Sequence, residues 1–211
     1  MNFKKIIDWI RSHVLITIVL VGILIIVILV TINNQNYVDS RVLGFQKMRI
    51  DLPNEFTQID KSESRGGSVD TGQIDEYEEV YNYEAFDEVC RLKIYAKDYS
   101  VSNESAYQEH KEDYFSLNNI EAFLIQLGWS QYNGYVPSDT EYRTIKGHKW
   151  NMFTLAKSIS ELKESKYYYY VYDYANTFYI VEFEHIVNYG YEKDSYCSKA
   201  YNTIVKSLDF R

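Results

Sequence analysis

The residues able to carry chemistry in this chain are few and scattered. There are two cysteines, Cys90 and Cys197, and four histidines, His13, His110, His148 and His185. The cysteines fall on apolar stripes of two separate elements, so both point into one buried layer. Two readings stay open there. One is a disulfide closing a loop of about a hundred residues, worth up to roughly 4–5 kcal/mol in the chain-entropy model. The other is a pair of separate buried thiols, since cysteine is among the most buried residues. The histidines do not pair at metal-ligand spacing, and neither HExxH nor a Cys–His zinc pattern occurs. Asp70-Thr71-Gly72 matches the tripeptide of aspartic proteases, but that chemistry needs two carboxylates sharing a proton, and no second copy exists. Asp75, Glu76, Glu78 and Glu79 form an acidic cluster without the spacing of a calcium loop. No G-x-S-x-G elbow is present. We therefore assign no catalytic, cofactor-binding or metal-ligating residue and expect no cofactor. The site residues retained are the candidate disulfide pair, Cys90 and Cys197.

The element that organises the chain is residues 14–32, VLITIVLVGILIIVILVTI. Only Thr17, Gly22 and Thr31 interrupt a run of Val, Ile and Leu. As a helix at about 1.5 Å per residue it spans roughly 28 Å, close to the hydrocarbon thickness of a bilayer. A core helix of a soluble domain would show a polar stripe, and this segment has none. The run exceeds the roughly 7–15 residues of a signal-peptide core, and no small-x-small cleavage pattern follows it. We expect an uncleaved signal-anchor. Lys4, Lys5 and Arg11 against Asp8 make residues 1–13 basic by +2, which holds them in the cytoplasm and places residues 33–211 outside.

The whole chain carries −8, so the part beyond the anchor carries −10. That balance argues against nucleic acid as a partner. The 22 tyrosines, with abundant Asn, Lys and Ile, fit an AT-rich bacterial genome and core packing. Residues 33–44 read as a polar stalk. From Phe45, Met48, Ile50 and Leu52 alternate with Lys47, Arg49 and Asp51, a strand that Pro53 ends. Residues 61–73, KSESRGGSVDTGQ, read as a loop. Strands follow over 77–86 and 89–99, then two helices, one from Ser102 or Asn103 to about Phe115 and one from Asn118 to Gly128. Strands return at 142–145 and 148–156 around Lys146-Gly147. Residues 159–165 read as a charged connection. A second hairpin, 166–174 with 177–186, turns at Ala175-Asn176. Within it Tyr168, Tyr170, Tyr172 and Tyr174 share one face, and Tyr167, Tyr169 and Val171 the other. An uncovered face would be an aromatic platform for a glycan or a protein; helices on both faces would make both sets core, which is the expectation. Cys197, Ala200, Tyr201, Ile204, Val205 and Leu208 form one stripe on a closing helix from about Tyr191 to Leu208.

Strands, helices, strands and a helix joined by hairpin links predict an α+β domain over 45–211, an antiparallel sheet with helices packed on it. Three stretches carry a resemblance to a known family. They are Ile50-Asp51-Leu52-Pro53-Asn54-Glu55-Phe56, Ile145-Lys146-Gly147-His148-Lys149-Trp150, and the ending Ser207-Leu208-Asp209-Phe210. The arrangement resembles the PsbP-like fold over roughly Phe45 to Arg211. That resemblance implies a binding or assembly module rather than an enzyme, and lends no site residues. The expected function is a single-pass, membrane-anchored extracytoplasmic binding or assembly module of the bacterial envelope. Its expected partners are the membrane and another envelope protein or a glycan. The alternative is an envelope hydrolase using surface carboxylates. A sensor is disfavoured by the short tail.

Overall fold

The computed structural model describes residues 13, 14, 16, 18–29, 37–67, 74–86, 89–99, 107–108, 136–138, 140–161, 163–188 and 192–210. Its strands are β1 Ser40–Phe45, β2 Met48–Pro53, β3 Thr57–Gly67, β4 Ile74–Ala85, β5 Cys90–Tyr99, β6 Val136–Pro137, β7 Glu141–Ile145, β8 His148–Ser160, β9 Lys163–Tyr174, β10 Thr177–Asn188 and β11 Asp209–Phe210. Helix α1, Glu192–Ser207, precedes β11. The larger sheet runs β3-β4-β5-β10-β9-β8-β6, with β7 also paired to β8, and β1-β2-β11 form a smaller one. Every pairing is antiparallel. The described fold is thus mostly antiparallel sheet.

Turn chemistry fixes the central hairpins. Ala175 and Asn176 both take positive φ (51° and 63°), as do Lys146 and Gly147 (47° and 87°). Two consecutive left-handed residues match the twist of a two-residue hairpin. The closing helix lays Cys197, Ala200, Ile204 and Val205 against the sheet, each at most 2% exposed. Its packing partners include Ile50, Leu52, Leu92, Ile94 and Phe183.

The helix start is tied to the end of β10. Asp194 accepts from the backbone N–H of Asn188 at 3.0 and 3.1 Å and lies 3.3 Å from His185 Nε2. His185 is buried, which lowers its pKa, and the Asp194 carboxylate works against that shift. Asp194→Ala is expected to destabilise the domain by about 1–2 kcal/mol, because it orphans a backbone donor and a ring nitrogen together. A urea titration measures it, and an unchanged midpoint would rule out a structural role for the carboxylate.

Several expectations need correction. Ser40–Leu43, assigned to the stalk, belongs to β1, paired residue by residue with β2. Residues 61–67, read as loop, belong to β3, which pairs with β4 and carries register irregularities at Gln58/Asp60 and Gly66/Gly67. Polar side chains suit it because Thr57 through Arg65 are exposed. Residues 159–165, read as a connection, are the facing ends of β8 and β9. The two helices expected over 102–128 lie outside the described residues, apart from Tyr107 and Gln108, which are helical. Asp70-Thr71-Gly72 and His110 also lie outside them.

Residues 18–29 are helical. Ile18, Leu20, Leu24, Ile26 and Leu29 are 58–65% exposed, and Val19, Val21, Ile23, Ile25, Val27 and Ile28 are 46–54% exposed. Among the described residues no helix is long and apolar enough to cross a membrane. Where the domain begins, the Val38 N–H donates to Thr203 Oγ1 at 3.2 Å, and Lys206 donates to the Tyr37 hydroxyl. The chain entering the domain is thereby strapped to the last turns of α1.

Candidate functional site

The large sheet has two unlike faces. On the α1 side the central strands are mostly apolar, with His185 of β10 set against Asp194 at the helix start. On the other side the β8–β9–β10 half is apolar too: Phe153, Leu155, Tyr169, Val171, Phe178 and Ile180 are each at most 2% exposed. Tyr107 packs there, stacked on Phe178 at 5.2 Å with its hydroxyl donated to Asp173. The β4–β5 half of that face is polar, with Glu78, Asn82 and Glu84 beside Lys97, Lys93 and Arg91. Where the halves meet, along β10, lies a cleft of about 260 Å³.

Register builds its floor. Glu182 on β10 stands opposite Lys93 on β5 and Tyr169 on β9. Two residues on, Glu184 stands opposite Arg91 and Tyr167. Side chains two apart along a strand share a face, so the six form two parallel rungs crossing three strands. Asn82 extends the first rung onto β4, and Ile59 of β3, 52% exposed at the irregular Gln58/Asp60 step, also lines the cleft.

The second rung is closely bonded. The Tyr167 hydroxyl donates to Glu184 Oε1 at 2.6 Å, and Arg91 Nη1 reaches Glu184 Oε2 at 3.5 Å. Glu184 itself is 6% exposed. On the first rung, burial pushes the Glu182 carboxyl up to about 7. Lys93 opposes that shift, Glu184 adds to it, and the Tyr169 hydroxyl and Arg91 oppose it. Burial also raises Tyr169, and the neighbouring Glu182 raises it further. Chemically, the cleft holds a carboxyl that exchanges protons near neutrality, a bonded carboxylate, two cations and a hydroxyl.

The residues singled out from sequence fall elsewhere. Cys90 and Cys197 come together as a disulfide between β5 and α1, with Cα atoms 5.8 Å apart and both side chains fully buried. His148 Nδ1 lies 3.0 Å from the Tyr172 hydroxyl and Nε2 lies 4.0 Å from Asp209; His185 joins Asp194; His13 lies in the N-terminal helix. These histidines do not converge. Glu78 and Glu79 are neighbours on β4 and point to opposite faces. Glu78 meets Lys97 and Tyr95, whereas Glu79 meets Lys61 and Gln46. Among the described residues no three His, Cys, Asp or Glu side chains stand close enough to hold a metal ion.

Both faces of the tyrosine strand β9 are occupied. Tyr169, Tyr170 and Val171 are fully buried, and Tyr168, Tyr172 and Tyr174 pack on the α1-side core. No aromatic platform is exposed there. The cleft residues Glu182 and Glu184 were not singled out from sequence. Their signal was two acids at i and i+2 inside an otherwise apolar strand, matched by Arg91 and Lys93 at i and i+2 in another.

No protein-family model matches the chain, and no curated protein matches it. Solved structures similar to it include three. One is a 1.50 Å crystal structure from Bacteroides thetaiotaomicron VPI-5482, at TM-score 0.40 and 10% identity over 78% of this chain. The match spans 45% of that longer chain. A second is LpqN, involved in cell envelope biogenesis of Mycobacterium tuberculosis, at TM-score 0.36 and 9% identity over 81% of this chain and 89% of LpqN. The third is cyanobacterial PsbP from Synechocystis sp. PCC 6803, at TM-score 0.39 and 7% identity over 81% of this chain and 92% of PsbP. The resemblance to PsbP expected from the sequence is therefore present as a weak one, and at these values it transfers no residue and no activity.

Proposed function

We propose that the protein is a single-pass, membrane-anchored module whose domain lies outside the cytoplasm and binds a ligand at the β4–β5–β10 cleft. The observation that carries this reading is the exposure of aliphatic side chains through successive turns of residues 18–29. At about 25 cal/mol per Å² of apolar surface, such a helix needs a lipid or protein cover, and a continuous run without charge fits lipid. The basic flank orients it with the N-terminus inside. The cleft supplies the binding surface, because it gathers polar groups from three strands at the edge of a packed apolar region.

Two measurements test this. Carbonate-washed membranes should retain the chain, and protease added to intact spheroplasts should degrade the domain while sparing an N-terminal tag. Release by carbonate, or a protected domain, would remove the anchor. A photo-crosslinker introduced at Ile59, on the exposed lip of the cleft, should capture a partner in living cells; no adduct above that of a crosslinker at Ile159 would remove the cleft.

One observation favours a second reading, an envelope hydrolase. Glu182 titrates near neutrality beside a second carboxylate, the arrangement a general acid needs. In that case Glu182→Gln abolishes turnover of a polymer substrate while leaving its binding intact.

A further inference from the structure

We propose that the cleft takes one ring of an uncharged, hydroxyl-rich ligand, a neutral glycan. This rests on the binding-module reading given above and specifies its ligand. Three features point there. The first is charge. Arg91 and Lys93 face Glu182 and Glu184 across the β5–β10 register, and the Arg91 and Glu184 side chains already meet at 3.5 Å. An anion entering the cleft meets two carboxyl groups, and a cation meets a guanidinium and an ammonium. A small zwitterion has to pull apart the Arg91–Glu184 pair. A neutral ligand leaves that pair in place.

The second feature is dimension. Neighbouring strands lie about 4.8 Å apart and same-face residues about 6.8 Å apart along a strand. Asn82 of β4, Arg91 and Lys93 of β5, and Glu182 and Glu184 of β10 therefore span roughly 10 by 7 Å across the cleft, the footprint of a sugar ring with its hydroxyls. The third is the character of the groups. Arg91 donates only, the Glu184 carboxylate accepts, and the Asn82 amide and Tyr167 hydroxyl do both. Adjacent hydroxyls of a sugar act as donor and acceptor together, so they can bridge such neighbours. Ile59 in the lining offers apolar surface to ring C–H groups.

The test uses the full chain in lauryldimethylamine oxide, a detergent without a sugar headgroup. Ligand-observed saturation-transfer NMR is recorded with chitotetraose, maltotetraose and mannotetraose, and separately with dialanine, inorganic phosphate and spermidine. At least one neutral oligosaccharide should receive saturation on its ring protons. Arg91→Ala and Glu184→Gln should each weaken its binding about tenfold, the loss expected of one charge-assisted hydrogen bond. Tyr167→Phe, which keeps the ring, serves if either variant fails to fold. Three results overturn the proposal: no transfer to any of the three sugars, sugar binding indifferent to these substitutions, or tighter cleft-dependent binding of a charged probe. If a crosslinker at Ile59 captures a protein while the sugars do not bind, the binding module stands and the glycan falls. If carbonate releases the chain, the anchor falls whatever the sugars do.

Discussion

Replacing Cys90 and Cys197 together by serine is expected to cost the domain up to about 4–5 kcal/mol. The bridge spans 107 residues of sequence and joins β5, in the middle of the large sheet, to α1. Cutting it lets the unfolded chain explore conformations that the closed loop forbids. Serine adds a further cost by leaving hydroxyls in a fully buried layer, so a paired Cys→Ala variant separates the loop effect from the polar one. Urea titrations of the wild type with and without reductant, beside both variants, give the difference directly. Reductant should lower the wild-type midpoint and leave the variants unmoved. Mass spectrometry after alkylation supplies the independent check. Two thiols alkylated in the unreduced, denatured protein would show that the cysteines stay reduced in the protein as isolated.

Glu182→Gln is expected to stabilise the domain at pH 8 by up to about 3 kcal/mol more than at pH 4. The sign follows from proton binding. The unfolded carboxyl titrates near 4.5 and the folded one near 7, so between those values the folded state holds more protons. Stability contributed by this group is therefore greatest below about pH 4.5 and falls as pH rises through 7. A shift of that size at about 1.36 kcal/mol per unit gives the stated ceiling. The neutral amide removes the penalty. Lys93 and Arg91 on β5, Glu184 on the same strand and Tyr169 on β9 all face the group and are unchanged in this variant. His185 titrates the opposite way, since its lowered pKa makes stability rise with pH. The wild-type profile thus mixes two slopes, and the difference between wild type and Glu182→Gln isolates one. Parallel profiles for the two proteins would show that Glu182 ionises as an exposed carboxylate does.

Where local chemistry decides the structure, the sequence was a good guide. Ala175-Asn176 and Lys146-Gly147 marked hairpins because few residues tolerate positive φ. The stripe from Cys197 to Leu208 marked α1 because its period admits one burial face. The tyrosines of β9 were expected to be covered on both sides; Tyr169 and Tyr170, one on each face, are fully buried, while Tyr167 lines the cleft. Failures came where pairing outweighs composition. Lys61 to Gly67 read as a loop because its residues are polar and end in two glycines, yet an edge strand needs only one partner and water on its side chains. Ile159 to Ser165 failed likewise. The cleft was least legible. Glu182 and Arg91 are ninety-one positions apart, and only the β5–β10 register sets Arg91 beside Glu184 and Lys93 beside Glu182. Alternation alone gave the face of each strand but not which strands adjoin.

The strap at Tyr37 and Val38 has a mechanical consequence. If the chain is anchored as proposed above, tension along the tether reaches the domain at residues bonded to Thr203 and Lys206 on α1. From α1 the load passes through the covalent Cys90–Cys197 link into β5, the strand next to β10. β1 and β2, the first strands after the tether, need not be peeled away before the central sheet shares the force. A pull from the tether side is thus carried by the middle of the fold, and the cleft along β10 lies beside the strand that receives it.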